Sequence, residues 1–107
     1  MGKGDYLGEF EMVVMLTLVR LGERAYGMTI RLEIEERTGR SVSIGAVYTT
    51  LRRLQRKEFV ISSLGEPSPS RGGRAKKYFA LEPQGLKALQ RSREMFASLW
   101  KGVPEAR

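Results

Sequence analysis

The side chains of this chain that could do chemistry are mostly cations. It has no Cys and no His, which removes the usual zinc sites, the Ser–His and Cys–His nucleophile pairs and the commonest general base. No acidic pair stands out as a catalytic carboxylate couple. The sequence therefore does not read as an enzyme, and no metal or cofactor is expected. What remains is charge. The net charge is +7, and it is unevenly placed. Residues 1–39 hold five basic and seven acidic side chains, residues 40–81 nine and two, and residues 82–107 five and three. The middle of the chain carries the whole excess, the footprint expected of a polyanion binder.

Within that segment two clusters have a usable pattern. No acidic residue lies between Arg40 and Lys57. Ser43, Gly45, Ala46, Thr49 and Thr50 offer small side chains at the start of a helix, where the backbone can approach base edges and the helix end attracts phosphate. Tyr48 borders them and has a hydroxyl suited to a phosphate. Arg52, Arg53, Arg56 and Lys57 follow and suit neutralisation of a nucleic-acid backbone. The second cluster is Arg71-Gly72-Gly73-Arg74, two guanidinium groups around an unrestricted tip that can enter a minor groove or straddle phosphates. Lys76 and Lys77 point to opposite faces of a strand, so at most one shares that contact, and Lys76 is the candidate.

The elements that must position these groups follow from periodicity. Residues 7–21 predict a helix with two apolar faces: Leu7, Phe10, Val14, Thr17, Leu18 and Leu21 on one, Met12, Met15, Leu16 and Val19 on the other. Gly22 is its expected C-cap. Residues 26–38 predict a second helix, with Ile30 and Ile34 on its inner face and Tyr26 and Arg37 extending it, closed by Gly39. Ser41 or Ser43 caps a third helix running to about Lys57, with Val47, Leu51 and Leu54 inward. Two strands are expected at Phe59–Glu66 and Arg74–Leu81, around a Pro-, Ser- and Gly-rich tip. Pro83 opens a last helix to about residue 101, with Leu86, Leu89, Phe96, Leu99 and Trp100 as its stripe. The expected fold is mainly α with a small antiparallel hairpin: a winged helix-turn-helix at residues 1–82, then a C-terminal dimerisation helix and tail at 83–107.

The segments LGEFE, AYGMTIRLEIEERTGRSVSIGAVYTTLRRLQRKEFV and RGGRAKKYFALEPQG resemble PadR-type transcriptional regulators, from about Leu7 to Leu89. The pairing of SIGAVYTTLRRL with RGGRAKKYF is the specific part. The single C-terminal helix is similar to the compact subgroup of that family. The resemblance implies a homodimer joined through its first and last helices, repressing at a roughly palindromic operator in double-stranded DNA. Carried over, recognition-helix contacts fall on Ser43, Gly45, Ala46, Tyr48, Thr49 and Arg52, and wing contacts on Arg71, Gly72, Gly73 and Arg74. Arg53 and Lys76 join them on charge and position. The chain departs from the family pattern at Glu58, where Gly is usual, and at Glu82, where Thr is usual.

Some relatives bind flat aromatic compounds between subunits. Phe96 and Trp100, one turn apart, together with Met12, Met15 and Leu99, serve here either as such an effector site or as dimer packing; spacing does not separate the two. The competing function is a winged-helix module whose basic face meets an acidic protein. No signal-like or membrane-spanning apolar run is visible, and a cytoplasmic location is expected.

Overall fold

The computed structural model describes residues 6–66 and 75–106. Helix α1 spans Glu9–Leu21, a 3-10 turn Gly22–Arg24, α2 Gly27–Thr38, α3 Ile44–Arg56, β1 Val60–Leu64, β2 Lys77–Leu81 and α4 Pro83–Trp100. This is the expected class of four helices with one antiparallel hairpin. The 3-10 turn was not expected from the sequence.

Helix α1 starts where the Glu11 carboxylate accepts the Gly8 backbone N–H at 2.7 Å, satisfying a donor the helix itself cannot. Val14, Met15, Leu18 and Leu21 are buried in the core. Met12 is half-buried, and Leu16 and Val19 are exposed. The helix thus has one apolar face inside and a second face, at i, i+4 and i+7, left bare. Met15 corrects the sequence expectation. Its spacing predicts the outer face, but it is fully buried, because it lies one turn from Leu18 and beside Val14.

In α2, the Tyr26 N–H donates to Thr29 Oγ1 at 3.0 Å, while Ile30 and Ile34 enter the core. Arg37 does not extend that face: its guanidinium reaches Glu33 at 3.0 Å, and its side chain is mostly solvated. Gly39 stops the helix in the left-handed region, at φ 73°, with its N–H donating to the Glu35 carbonyl.

Of the two candidate caps for α3, Ser43 is the one used; its Oγ accepts the Ala46 N–H at 3.0 Å. Val47, Leu51 and Leu54 are fully buried, as their spacing predicts. Thr50, expected on the small outer face, is buried instead, three residues after Val47 on the inward side. The helix ends in a Schellman turn. The Glu58 N–H donates to the Gln55 carbonyl and the Phe59 N–H to the Leu54 carbonyl. Glu58 therefore occupies the left-handed position, at φ 63°.

That turn consumes the Phe59 N–H, so β1 begins one residue later than expected. β1 and β2 pair antiparallel from Val60↔Leu81 to Leu64↔Lys77. β2 is also held on its other side: the Phe79 N–H donates to the Ala25 carbonyl at 2.9 Å, and Tyr26 bridges Tyr78. Phe59, Val60 and Phe79 close the core beneath α1–α3.

Helix α4 starts at Glu82 without a side-chain cap, with Pro83 in its first turn. Its first turns enter the body through Gly85, Ala88 and Leu89. A Cβ at position 85 would stand 2.5 Å from the Phe59 carbonyl oxygen, so glycine permits this approach. From Arg91 onward no described residue is buried. The radius of gyration is 15.7 Å, against roughly 13 Å for a compact chain of this length.

Candidate nucleic-acid interface

The outer face of α3 is built from residues whose inner neighbours are locked in the core. Gly45, Ala46, Thr49, Arg52, Arg53 and Arg56 are all exposed. They fall at helical spacing, with small side chains in the first two turns and arginines in the last two. Ser43 is exposed at the N-cap, with an Oγ lone pair committed to the cap. The Arg52 guanidinium reaches back 3.5 Å to Thr49 Oγ1. Arg52, Arg53 and Arg56 have no carboxylate partner among the described residues.

Other cations of the same segment are committed. Arg40 pairs with Glu9 at 2.8 Å and lies 5.5 Å above the Phe10 ring. Lys57 Nζ is 2.9 Å and 3.1 Å from the two Glu11 oxygens and 3.3 Å from the Tyr6 carbonyl. This corrects the expectation that Lys57 joins the phosphate-neutralising run. Sequence reasoning missed Glu9 and Glu11, because they stand in the acidic first third of the chain. Glu11 as the third residue of a helix gave a signal for its cap but none for its distant lysine.

Tyr48 is half-buried. Its ring packs edge-on against Phe79 at 6.2 Å, and its hydroxyl lies against Gly27 in the first turn of α2. The side chain is thereby turned from the small-residue face toward the start of α2. The hairpin base is seated by a Gln55 Nε2 to Ser62 Oγ hydrogen bond of 3.0 Å and by the edge-on Tyr26–Tyr78 pair at 5.6 Å. Lys76 Nζ lies 4.0 Å from the Tyr26 ring centroid, a cation–π contact. Arg71, Gly72, Gly73 and Arg74 lie outside the described residues.

Glu33 ties α1 to α2. Its carboxylate takes Arg37 at 3.0 Å and Arg20 at 3.4 Å. The Arg37 hydrogen bond, helped by Arg20 and partly opposed by desolvation, holds the Glu33 carboxyl below its ordinary pKa.

On the opposite side α1 and α4 enclose an apolar groove of about 310 Å³. Met12, Leu16, Val19, Leu86, Leu89 and Phe96 line it, with Gln90 and Arg93 at its polar edge. Phe96 also borders a cleft with Leu99, Trp100 and Val103. The structure so brings Met12 and Phe96 together and places Leu99 and Trp100 farther along the same helix. Met15 takes no part. Among the described residues no group of three His, Cys, Asp or Glu side chains could hold a metal ion, and no helix is long and apolar enough to cross a membrane.

Comparison with solved structures gives the same architecture. A PadR-like transcription factor from Bacteroides fragilis is 24% identical, with a TM-score of 0.73 over 88% of this chain and 85% of the other. A PadR family regulator from Clostridium difficile is 21% identical, with the same TM-score over 88% and 93% of the two chains. A PadR family transcriptional regulator from Eggerthella lenta is 26% identical, with a TM-score of 0.69 over 89% and 82%. No curated protein matches the chain by sequence. The family model described as "Transcriptional regulator PadR-like family" matches residues 15–91, which run from the core face of α1 through α3 and the hairpin into α4. By that match, covering most of its length, the chain belongs to the PadR-like family of transcriptional regulators.

Proposed function

We propose that the chain is a homodimeric regulator that reads double-stranded DNA, with α3 of each subunit in the major groove of one half of a roughly palindromic operator. The observation that carries this reading is the outer face of α3. Gly45, Ala46 and Thr49 leave room for base edges, and Arg52, Arg53 and Arg56 are exposed with no carboxylate partner among the described residues. Small residues at the N-terminal end and cations behind them divide the work between reading and phosphate holding. Ser43 stands at the entry of the face, and Tyr48, turned toward the start of α2, is kept as a phosphate contact at the edge of that face rather than on it. The wing contact is assigned from the sequence to Arg71, Gly72, Gly73 and Arg74, which lie outside the described residues, together with Lys76. Gel-shift against DNA from upstream of the protein's own gene tests the proposal. Weak retention even at low salt would overturn it and favour an acidic protein partner for the basic face.

The second subunit is supported by surface that one chain leaves bare. Leu16, Val19, Leu86, Phe96, Leu99 and Trp100 are between 41% and 67% exposed, an apolar area of the kind that marks an interface. In this reading residues 83–107 are the dimerisation element. The groove of about 310 Å³ falls in the range of small-molecule sites, roughly 300–1,000 Å³. A flat aromatic effector seated between Met12 and Phe96 would shift the two subunits and relieve repression. The chain has one Trp, so quenching by a panel of planar aromatics reports on Trp100 alone. No change across the panel would leave these residues as dimer packing.

A further inference from the structure

The Glu11–Lys57 pair lies away from the reading face but is fixed to both elements the proposed function depends on. Glu11 is 5% exposed. Its carboxylate accepts from the Gly8 N–H, at the start of α1, and from Nζ of Lys57, the residue whose backbone N–H closes α3. The residue after Glu11 is Met12, on the outer apolar face of α1. The residue before Lys57 is Arg56, at the end of the reading face. The residue after Lys57 is Glu58, held left-handed at φ 63°, a conformation that costs a non-glycine residue about 1–2 kcal/mol. The end of α3 is thus a turn that its own sequence disfavours, and it lies directly beside a long-range ion pair within the chain.

We propose that Glu11 and Lys57 are positioning residues for DNA reading: the pair fixes the angle of α3 against α1, and so the placement of each reading face relative to the helix that carries the dimer surface. The proposal rests on the DNA-reading function above. It makes Lys57 a lysine of the basic segment that does not touch phosphate. Glu9 and Arg40 form a second and more solvated tie, from the first turn of α1 to the loop that precedes α3.

The test uses the full-length protein and the site it enriches from a random-sequence duplex pool. Affinity for that site is compared with affinity for a scrambled duplex, across a salt series, for wild type, Glu11→Gln, Lys57→Met and Lys57→Arg. Urea melts show which variants are folded at the assay temperature. Lys57→Met is expected to lower the ratio of the two affinities by about tenfold, the scale of one lost base contact, with an unchanged salt slope. Glu11→Gln is expected to lower the ratio similarly and to steepen the slope, because it releases an ammonium toward phosphate. Lys57→Arg is expected to restore most of the ratio. The proposal is overturned if Lys57→Met keeps the ratio and flattens the slope by about 0.9 per subunit, the mark of a phosphate contact. It is equally overturned if the variants melt earlier but, while folded, keep the wild-type ratio, since the pair then serves stability alone. If Lys57→Met does not fold, Glu11→Gln and Lys57→Arg decide by the same ratio. Failure of the wild-type protein to enrich any site would instead remove DNA reading itself, and the positioning role with it.

Discussion

Lys57 Nζ stands 2.9 Å from Glu11 Oε2, joining the end of the third helix to the first turn of the first. The carboxylate side chain is 6% exposed and the lysine 21%. Removing one partner strands the other in a poorly solvated place. Glu11→Ala should therefore lower unfolding free energy by about 2 kcal/mol, less than the full cost of breaking a wholly buried pair because the lysine keeps some water. It also leaves the Gly8 N–H without its acceptor. Urea denaturation measures this, and a change within about 0.5 kcal/mol, typical of ordinary surface substitutions, would contradict it.

Glu58 offers the opposite sign. It is the one non-glycine residue with positive φ among those described, and its side chain is exposed. Glu58→Gly should raise stability by about 1 kcal/mol, relieving the left-handed strain at a position that already needs no side chain. The midpoint of a urea melt should move up. A downward shift would show that the carboxylate makes a contribution the local geometry does not reveal.

Met15 and Leu16 are neighbours with different surroundings: the first is fully buried and the second is 53% exposed. Met15→Ala should cost about 3 kcal/mol through the cavity it leaves. Leu16→Glu should cost the isolated subunit little and weaken association strongly, since it places a charge on the face assigned to the partner. Sedimentation equilibrium separates them. A Leu16→Glu protein that remains fully dimeric would move the interface elsewhere.

About six cations per subunit are assigned to phosphate, namely Arg52, Arg53, Arg56, Arg71, Arg74 and Lys76, which gives a log–log salt slope of roughly −5 for one subunit's footprint. Arg53→Ala should flatten it by about 0.9 and weaken all sequences alike. Binding indifferent to salt would contradict the assignment.

Glu33 gives a pH signature. Its folded-state pKa is lowered, chiefly by the Arg37 hydrogen bond, so the ionised form is favoured by folding. The stability it contributes is present above its unfolded value and is lost as pH falls through the lowered folded value. Wild type should therefore exceed Glu33→Gln in neutral solution, and the gap should close in acid. A gap that widens on acidification would reverse the assignment.

The sequence by itself determined the order and type of the elements. Helical spacing, the Ser43 cap, the Gly39 stop and the strand alternation are set within a few residues, by backbone geometry and side-chain period, and they reappear in the structure with small shifts at the ends. It also located the basic segment and showed that the first helix is apolar on two sides. Only the tertiary structure decided which side is inside, burying Met15 and leaving Met12, Leu16 and Val19 outward. Only it showed that Thr50 turns to the core and that Glu9 and Glu11 engage Arg40 and Lys57. The physical reason is range. A helix period or a cap acts over one turn, but the partner of a charge and the depth of a methionine depend on groups tens of residues away, and these meet only when the core has closed.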